Sequence, residues 1–96
     1  MTIRKDTKGN DTVMELSGWL DTQTAPELEE AIGALDGAAA LVLDLKELEY
    51  ISSAGLRQLV AAHKKMNGNL TIRNVSAEIM DVLRMTGFDK RLHIEG

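Results

Sequence analysis

The chain has 96 residues, 44% of them hydrophobic and 27% charged, with a formal net charge of −4 and no cysteine. That length holds one hydrophobic core rather than two, and the composition is that of a folded globule, not a disordered chain. The acidic balance argues against nucleic acid as the main partner, because phosphate binding needs clustered Lys and Arg; the missing cysteine removes disulfide and thiolate chemistry and fits a reducing compartment.

The segments TIRK (residues 2–5) and DTVMELSGWL (11–20) predict a hairpin across the turn residues TKGND. In the second of these, Met14, Leu16, Gly18 and Leu20 alternate with Val13, Glu15, Ser17 and Trp19, as in a half-buried strand. Trp19 has two readings: cover by the first strand or a helix, which is favoured, or a partly exposed partner contact, a role in which Trp is a common anchor. TAPE then opens a helix, with Thr24 as cap, Pro26 in the first turn and Glu27 completing a capping box. Its apolar face is Leu28, Ala31, Ile32 and Leu35, and Gly37 closes it.

AALVLDL (39–45) is apolar almost throughout, as expected of a central strand covered on both faces. A second helix is predicted from about Ala54 to Met66, with Leu56, Leu59, Val60 and His63 on one stripe. Its basic end, HKK at 63–65, reads as a solvated helix terminus. GNLTIRNV gives a turn and an alternating strand. SAEIMDVLRMTG gives a third helix, with Ser76 as cap, a stripe of Ile79, Val82 and Leu83, and Gly87 at its end. RLHIE is a short edge strand. The order β-β-α-β-α-β-α-β predicts an α/β fold: a single mixed sheet with packed helices, in one domain spanning 1–96. No apolar run approaches a membrane span, and MTIRKDTKGND lacks the apolar stretch of a signal peptide. The expectation is a cytoplasmic protein without membrane insertion.

The chemistry concentrates in LEYISSAGLRQLVAAHKKM (48–66), where two serines stand at a helix entrance. Serine catalysis needs a base and an oxyanion site. SSAG lacks the glycine that precedes the serine in a nucleophile elbow, and His63 lies about 15 Å along the helix from Ser53. His63 reads as a packed histidine, and His93 has no acid that suggests a dyad. The two histidines do not share metal-ligand spacing, and no glycine-rich phosphate cradle is present. No enzymatic activity, cofactor or metal is expected. One serine can cap the helix, contributing about 1 kcal/mol. Neither has Glu or Gln three residues later, so no capping box accounts for the pair. A phosphate on either hydroxyl would sit in the positive field of the helix N-terminus.

GWLDTQTA (18–25), LVLDLKELEYISSAGLRQL (41–59) and VSAEIMDVLRMTGFDKRLHI (75–94) together resemble the STAS domain of bacterial anti-sigma-factor antagonists. The resemblance covers nearly the whole chain and implies the STAS fold. Its most specific element is the loop-to-helix motif, which in the family usually reads Asp-Ser-Ser/Thr-Gly-Leu-Gly. Ser53 matches the phosphorylated serine, and Gly55 and Leu56 match the Gly-Leu. Asp21 matches an aspartate near that site, and Asp44 another at the end of the central strand. Two residues depart from the pattern: Ser52 replaces the family's Asp and is a competing acceptor, and Arg57 replaces its second Gly. Arg57 has two readings, a cation for a phosphate or an acidic partner, and an exposed helix arginine without a role. Asp21 and Asp44 have local readings as well, as a turn start and a strand-end hydrogen-bond acceptor.

The resemblance implies an anti-sigma-factor antagonist. Unmodified at Ser53, it would sequester an anti-sigma factor with serine-kinase activity; phosphorylated, it would let go, and a serine phosphatase would reverse the switch. Asp21, Asp44, Ser52, Ser53, Gly55 and Arg57 form the expected partner surface, on a chain expected to be monomeric when alone. The rival reading is a constitutive STAS adaptor in a transporter or signalling complex, never phosphorylated. A third, weaker reading is a small-ligand or nucleotide-binding module.

Overall fold

The computed structural model describes residues 1–35 and 39–95. Its elements are β1 (Thr2–Lys8), β2 (Asp11–Leu20), α1 (Ala25–Gly33), β3 (Ala40–Ile51), α2 (Ser53–Lys65), β4 (Leu70–Arg73), α3 (Ala77–Met85), a 3₁₀ turn (Phe88–Lys90) and β5 (His93–Glu95). The predicted order holds, and among the described residues only the 3₁₀ turn is added. Gly37, the predicted end of the first helix, lies outside the described residues; α1 itself stops at Gly33. Leu35, predicted on the helix face, is buried just beyond that end.

The sheet has the spatial order β1-β2-β3-β4-β5, with β1 antiparallel to β2 and the remaining pairs parallel. The hairpin is tighter than predicted. Lys8 pairs with Asp11, leaving only Gly9 and Asn10 in the loop, and Gly9 supplies the positive φ of 62° that such a short turn requires.

Each helix links one parallel strand to its immediate neighbour. Right-handed crossovers in such a series place every helix on the same side of the sheet. That side holds the core: Met14, Leu16 and Leu20 of β2, Leu41, Leu43 and Leu45 of β3, Leu70 and Ile72 of β4, packed with Leu28, Ile32, Leu56, Leu59, Ile79 and Leu83. The expectation that β3 is covered on both faces is therefore overturned. Its other face looks away from the helices, and Lys46 there is exposed.

A second difference concerns the length of β3. The prediction ends the strand at Leu45, and the strand runs six residues further, to Ile51. Against β2 its register gains one extra residue between Asp44 and Glu47 and another between Leu48 and Tyr50. These two bulges turn Leu48 and Ile51 back into the core at a spacing of three. Neither a period of 2 nor one of 3.6 is visible there, which hides the strand from pattern reading.

The α1 entrance also differs. Thr24 makes no side-chain capping bond. Asp21 shapes the turn before the helix: its Oδ1 accepts the N–H groups of Gln23 and Thr24 at 2.9 and 3.1 Å. The Thr24 hydroxyl instead donates to the Trp19 carbonyl at 2.8 Å. The HKK terminus is not wholly solvated either, because Lys65 Nζ donates to the Ile32 carbonyl at 2.9 Å and ties α2 to the end of α1.

Candidate functional site

The carboxyl ends of β2 and β3 lie side by side, and the candidate site is built on that edge. Trp19 pairs with Tyr50 and Leu20 with Ile51. One residue on, the Ser52 N–H donates to the Leu20 carbonyl at 2.9 Å. This bond brings the Asp21 turn and the serine pair to the same corner. The chain then enters α2 at once, so the β3–α2 connection is essentially Ser52 alone.

The two serines divide the work between them. Ser52 is extended, with φ −98° and ψ 176°, and its Oγ accepts the Gly55 N–H at 3.4 Å. It is the helix cap, and it is half-buried. Ser53 is the first residue of α2 and exposed, and among the described residues its hydroxyl has no hydrogen-bond partner. Arg57 follows one turn later on the same face, also exposed.

Gly55 is buried and presents no surface. A Cβ there would stand 2.8 Å from both Ile51 Cγ1 and Leu20 Cγ and 2.9 Å from the Leu20 carbonyl oxygen. The first turn of α2 thus lies against the ends of β2 and β3, and only a hydrogen fits between them. The glycine of SSAGL sets where the serines stand and is itself buried.

Trp19 is 57% exposed, against the favoured expectation of burial. The β1 strand pairs only as far as Ser17, so it does not reach Trp19, and the helices occupy the other face. Trp19 meets Tyr50, itself 46% exposed, with ring centroids 5.3 Å apart and planes tilted by 45°. This aromatic pair flanks the serine corner. Tyr50 was not singled out in the sequence, because the register that places it beside Trp19 depends on the second bulge of β3.

Asp44 is not part of this corner. It lies in the middle of β3 rather than at its end, about 20 Å along the strand from Ser52. Its side chain lies on the face away from the helices, in a row of paired residues running Arg4, Glu15, Asp44, Arg73, Glu95 across the sheet. Although only 8% exposed, it is fully engaged. It accepts the Lys46 N–H at 3.0 Å, Asn74 Nδ2 at 3.1 Å to each oxygen, and Arg73 Nε at 3.3 Å. Burial alone would raise its pKa. The hydrogen bonds from Lys46, Asn74 and Arg73, with the Arg73 charge, outweigh that and hold it below the ordinary aspartate value.

His63 and Ser53 sit in one continuous helix, ten residues apart, so no serine–histidine dyad forms between them. Among the described residues, the His63 Nδ1 is buried without a hydrogen-bond partner. Among the described residues, no group of three or more His, Cys, Asp or Glu gathers to hold a metal ion, and no helix is long and apolar enough to cross a membrane.

These features define a class: an α/β domain with helices on one side of a mixed sheet and a serine pair where the central strand enters a helix. Residues 3–95 match the family described as "Mlab, STAS domain", and the chain belongs to the STAS domain family. It is 30% identical to the anti-sigma-B factor antagonist of Staphylococcus aureus, over 98% of this chain and 92% of that one. The crystal structure of an anti-sigma factor antagonist from Mycobacterium paratuberculosis superposes with a TM-score of 0.87 at 32% identity, covering 97% of this chain and 83% of that one. A sulfate transporter family protein from Wolinella succinogenes has the same fold at 18% identity, with a TM-score of 0.78 over 94% of this chain and 80% of that one. The fold alone therefore does not set the function.

Proposed function

We propose that this protein is an anti-sigma-factor antagonist in which Ser53 is a phosphorylation switch. The relatives from S. aureus and M. paratuberculosis support the first part. The observation that carries the second is the division between the serines: Ser52 holds the helix cap, so the exposed Ser53 hydroxyl can be modified without removing a structural bond. The unmodified protein sequesters an anti-sigma factor that is itself a serine kinase. In the switching step the γ-phosphoryl group of ATP passes to Ser53 Oγ, the bond to ADP breaks and the hydroxyl proton is released. A serine phosphatase restores the hydroxyl by hydrolysis. The phosphate brings about −1.5 to −2 of charge to a corner that already carries Asp21. A helix N-terminus favours negative charge, so the fold persists while the partner surface becomes more negative. Asp21, Ser52, Ser53 and Arg57 form that surface, with Gly55 beneath it and the Trp19–Tyr50 pair beside it as apolar anchors.

The test is incubation with a purified anti-sigma factor of the serine-kinase class and ATP, with the site mapped by mass spectrometry. Modification of Ser53 is expected; modification confined to Ser52 overturns the assignment of the switch to Ser53, and none from a kinase active on another substrate returns the protein to the constitutive adaptor reading. Titration calorimetry gives the binding side. Ser53→Ala should bind as wild type, and Ser53→Asp should lose about tenfold or more, since like charges brought together at an interface cost several kcal/mol and each ~1.4 kcal/mol is tenfold.

A further inference from the structure

A cleft of about 300 Å³ opens between α2 and the 3₁₀ turn, lined by Arg57, Val60, Ala61, Lys64, Phe88 and Arg91. Its floor is apolar, from Val60, Ala61 and Phe88, and three cations rim it. None of the six lining residues is acidic, a local reversal of sign on a chain of net charge −4. Arg57, Lys64 and Arg91 are exposed, and none has a salt-bridge partner among the described residues. Arg91 is held over the floor, its Cζ 5.6 Å from the centroid of the Phe88 ring.

The cleft is continuous with the serine corner. Ser53, Arg57, Val60, Ala61 and Lys64 fall at helical spacing along one line of α2. By helical rise, Arg57 is about 6 Å and Lys64 about 16 Å from Ser53. A specific interface covers about 800 Å² on each partner, a patch whose radius is also about 16 Å. A partner centred on Ser53 therefore extends along α2 over Arg57, Val60 and Ala61 and reaches Lys64.

We propose that this cleft receives an acidic segment of the protein that binds at Ser53: carboxylates around one large apolar side chain, the carboxylates on the cationic rim and the apolar group on the Phe88 floor. The proposal rests on the reading of Ser53 as the partner's target and adds what selects that partner. It also extends the switch. A phosphate on Ser53 lies one turn from Arg57 and competes with the acidic segment for that guanidinium, so modification weakens the rim as well as repelling the partner directly.

The experiment is calorimetric titration of an anti-sigma factor of the serine-kinase class that binds the wild-type protein, with wild type, Lys64→Glu, Arg91→Glu and Ser53→Asp, and thermal melts alongside. The milder Lys64→Gln and Arg91→Gln cover any loss of folding. Each charge reversal is expected to weaken binding about tenfold and each neutral variant less, and wild-type binding is expected to fall with added salt. If both reversals bind as wild type while Ser53→Asp loses binding, the cleft proposal is overturned and the switch stands. If the reversals lose binding and Ser53→Asp does not, the cleft stands and the switch falls. A concentration-dependent dimer of wild type, dissociated by Arg91→Glu in sedimentation runs, would assign the cleft to a second copy of this chain and overturn the proposal.

Discussion

Asp44 shows how much one side chain can gather from distant sequence. Its partners Arg73 and Asn74 lie 29 and 30 residues away, so its role as a hydrogen-bond centre on the sheet's open face was not legible beside the simpler reading of a strand-end aspartate. Its lowered pKa has a consequence whose sign is definite. The folded value lies below the unfolded one, so the stability it contributes is fully present above about pH 3.9 and is lost as pH falls through the folded value. Asp44→Asn should cost about 1–3 kcal/mol at pH 7, from weakened bonds to charged and buried donors, and that gap should narrow as pH falls below about 4. Urea midpoints of both proteins from pH 7 to 2.5 measure it; a gap that stays constant into acid contradicts the assignment. Gly55 gives the opposite kind of residue effect, one of exclusion. The Leu20 carbonyl that a Cβ would strike is fixed by its bond from the Ser52 N–H, so it has little freedom to move aside. Gly55→Ala should destabilise by about 1–3 kcal/mol in denaturant melts, the usual cost of overpacking, despite the better helix propensity of alanine.

At the scale of elements, the entrance of α2 separates two residues that are identical in type. The capping bond belongs to Ser52, at a long 3.4 Å, so Ser52→Ala should lose about 0.5–1 kcal/mol, the lower half of the range for caps. Ser53→Ala should stay within about 0.5 kcal/mol of wild type, as surface substitutions do. Thermal melts of the two variants side by side decide this, and an equal loss from both would mean that the hydroxyls share the cap. The serine pair and the helix boundary were legible from SSAGL within about a residue. Which serine caps was not, because adjacent positions differ only in backbone direction, and that is set by the bond from Ser52 to the end of β2. The same limit applies to α1, where the TAPE pattern suggested a cap at Thr24 and the turn at Asp21 prevailed.

The whole molecule has a simple topology, since strands adjacent in sequence are adjacent in the sheet and the buried side chains form one cluster. Such a chain should unfold as one cooperative unit, with calorimetric and van't Hoff enthalpies equal at about 60–70 kcal/mol near 60 °C. A van't Hoff value well below the calorimetric one would show that part of the chain melts separately from the rest. The sequence by itself determined the order of the elements, the apolar faces of the helices, the cap at Ser76 and the motif that points to Ser53, because propensity, capping and hydrophobic period act within a few residues. Tertiary structure alone decided that every helix lies on one side of the sheet, that two bulges extend β3 to the serines, and that Trp19 is left in the open beside Tyr50. It alone joined Arg57 and Lys64 to Phe88 and Arg91 around a cleft. These outcomes depend on the handedness of crossovers and on the register between strands, and both are properties of how separate segments meet.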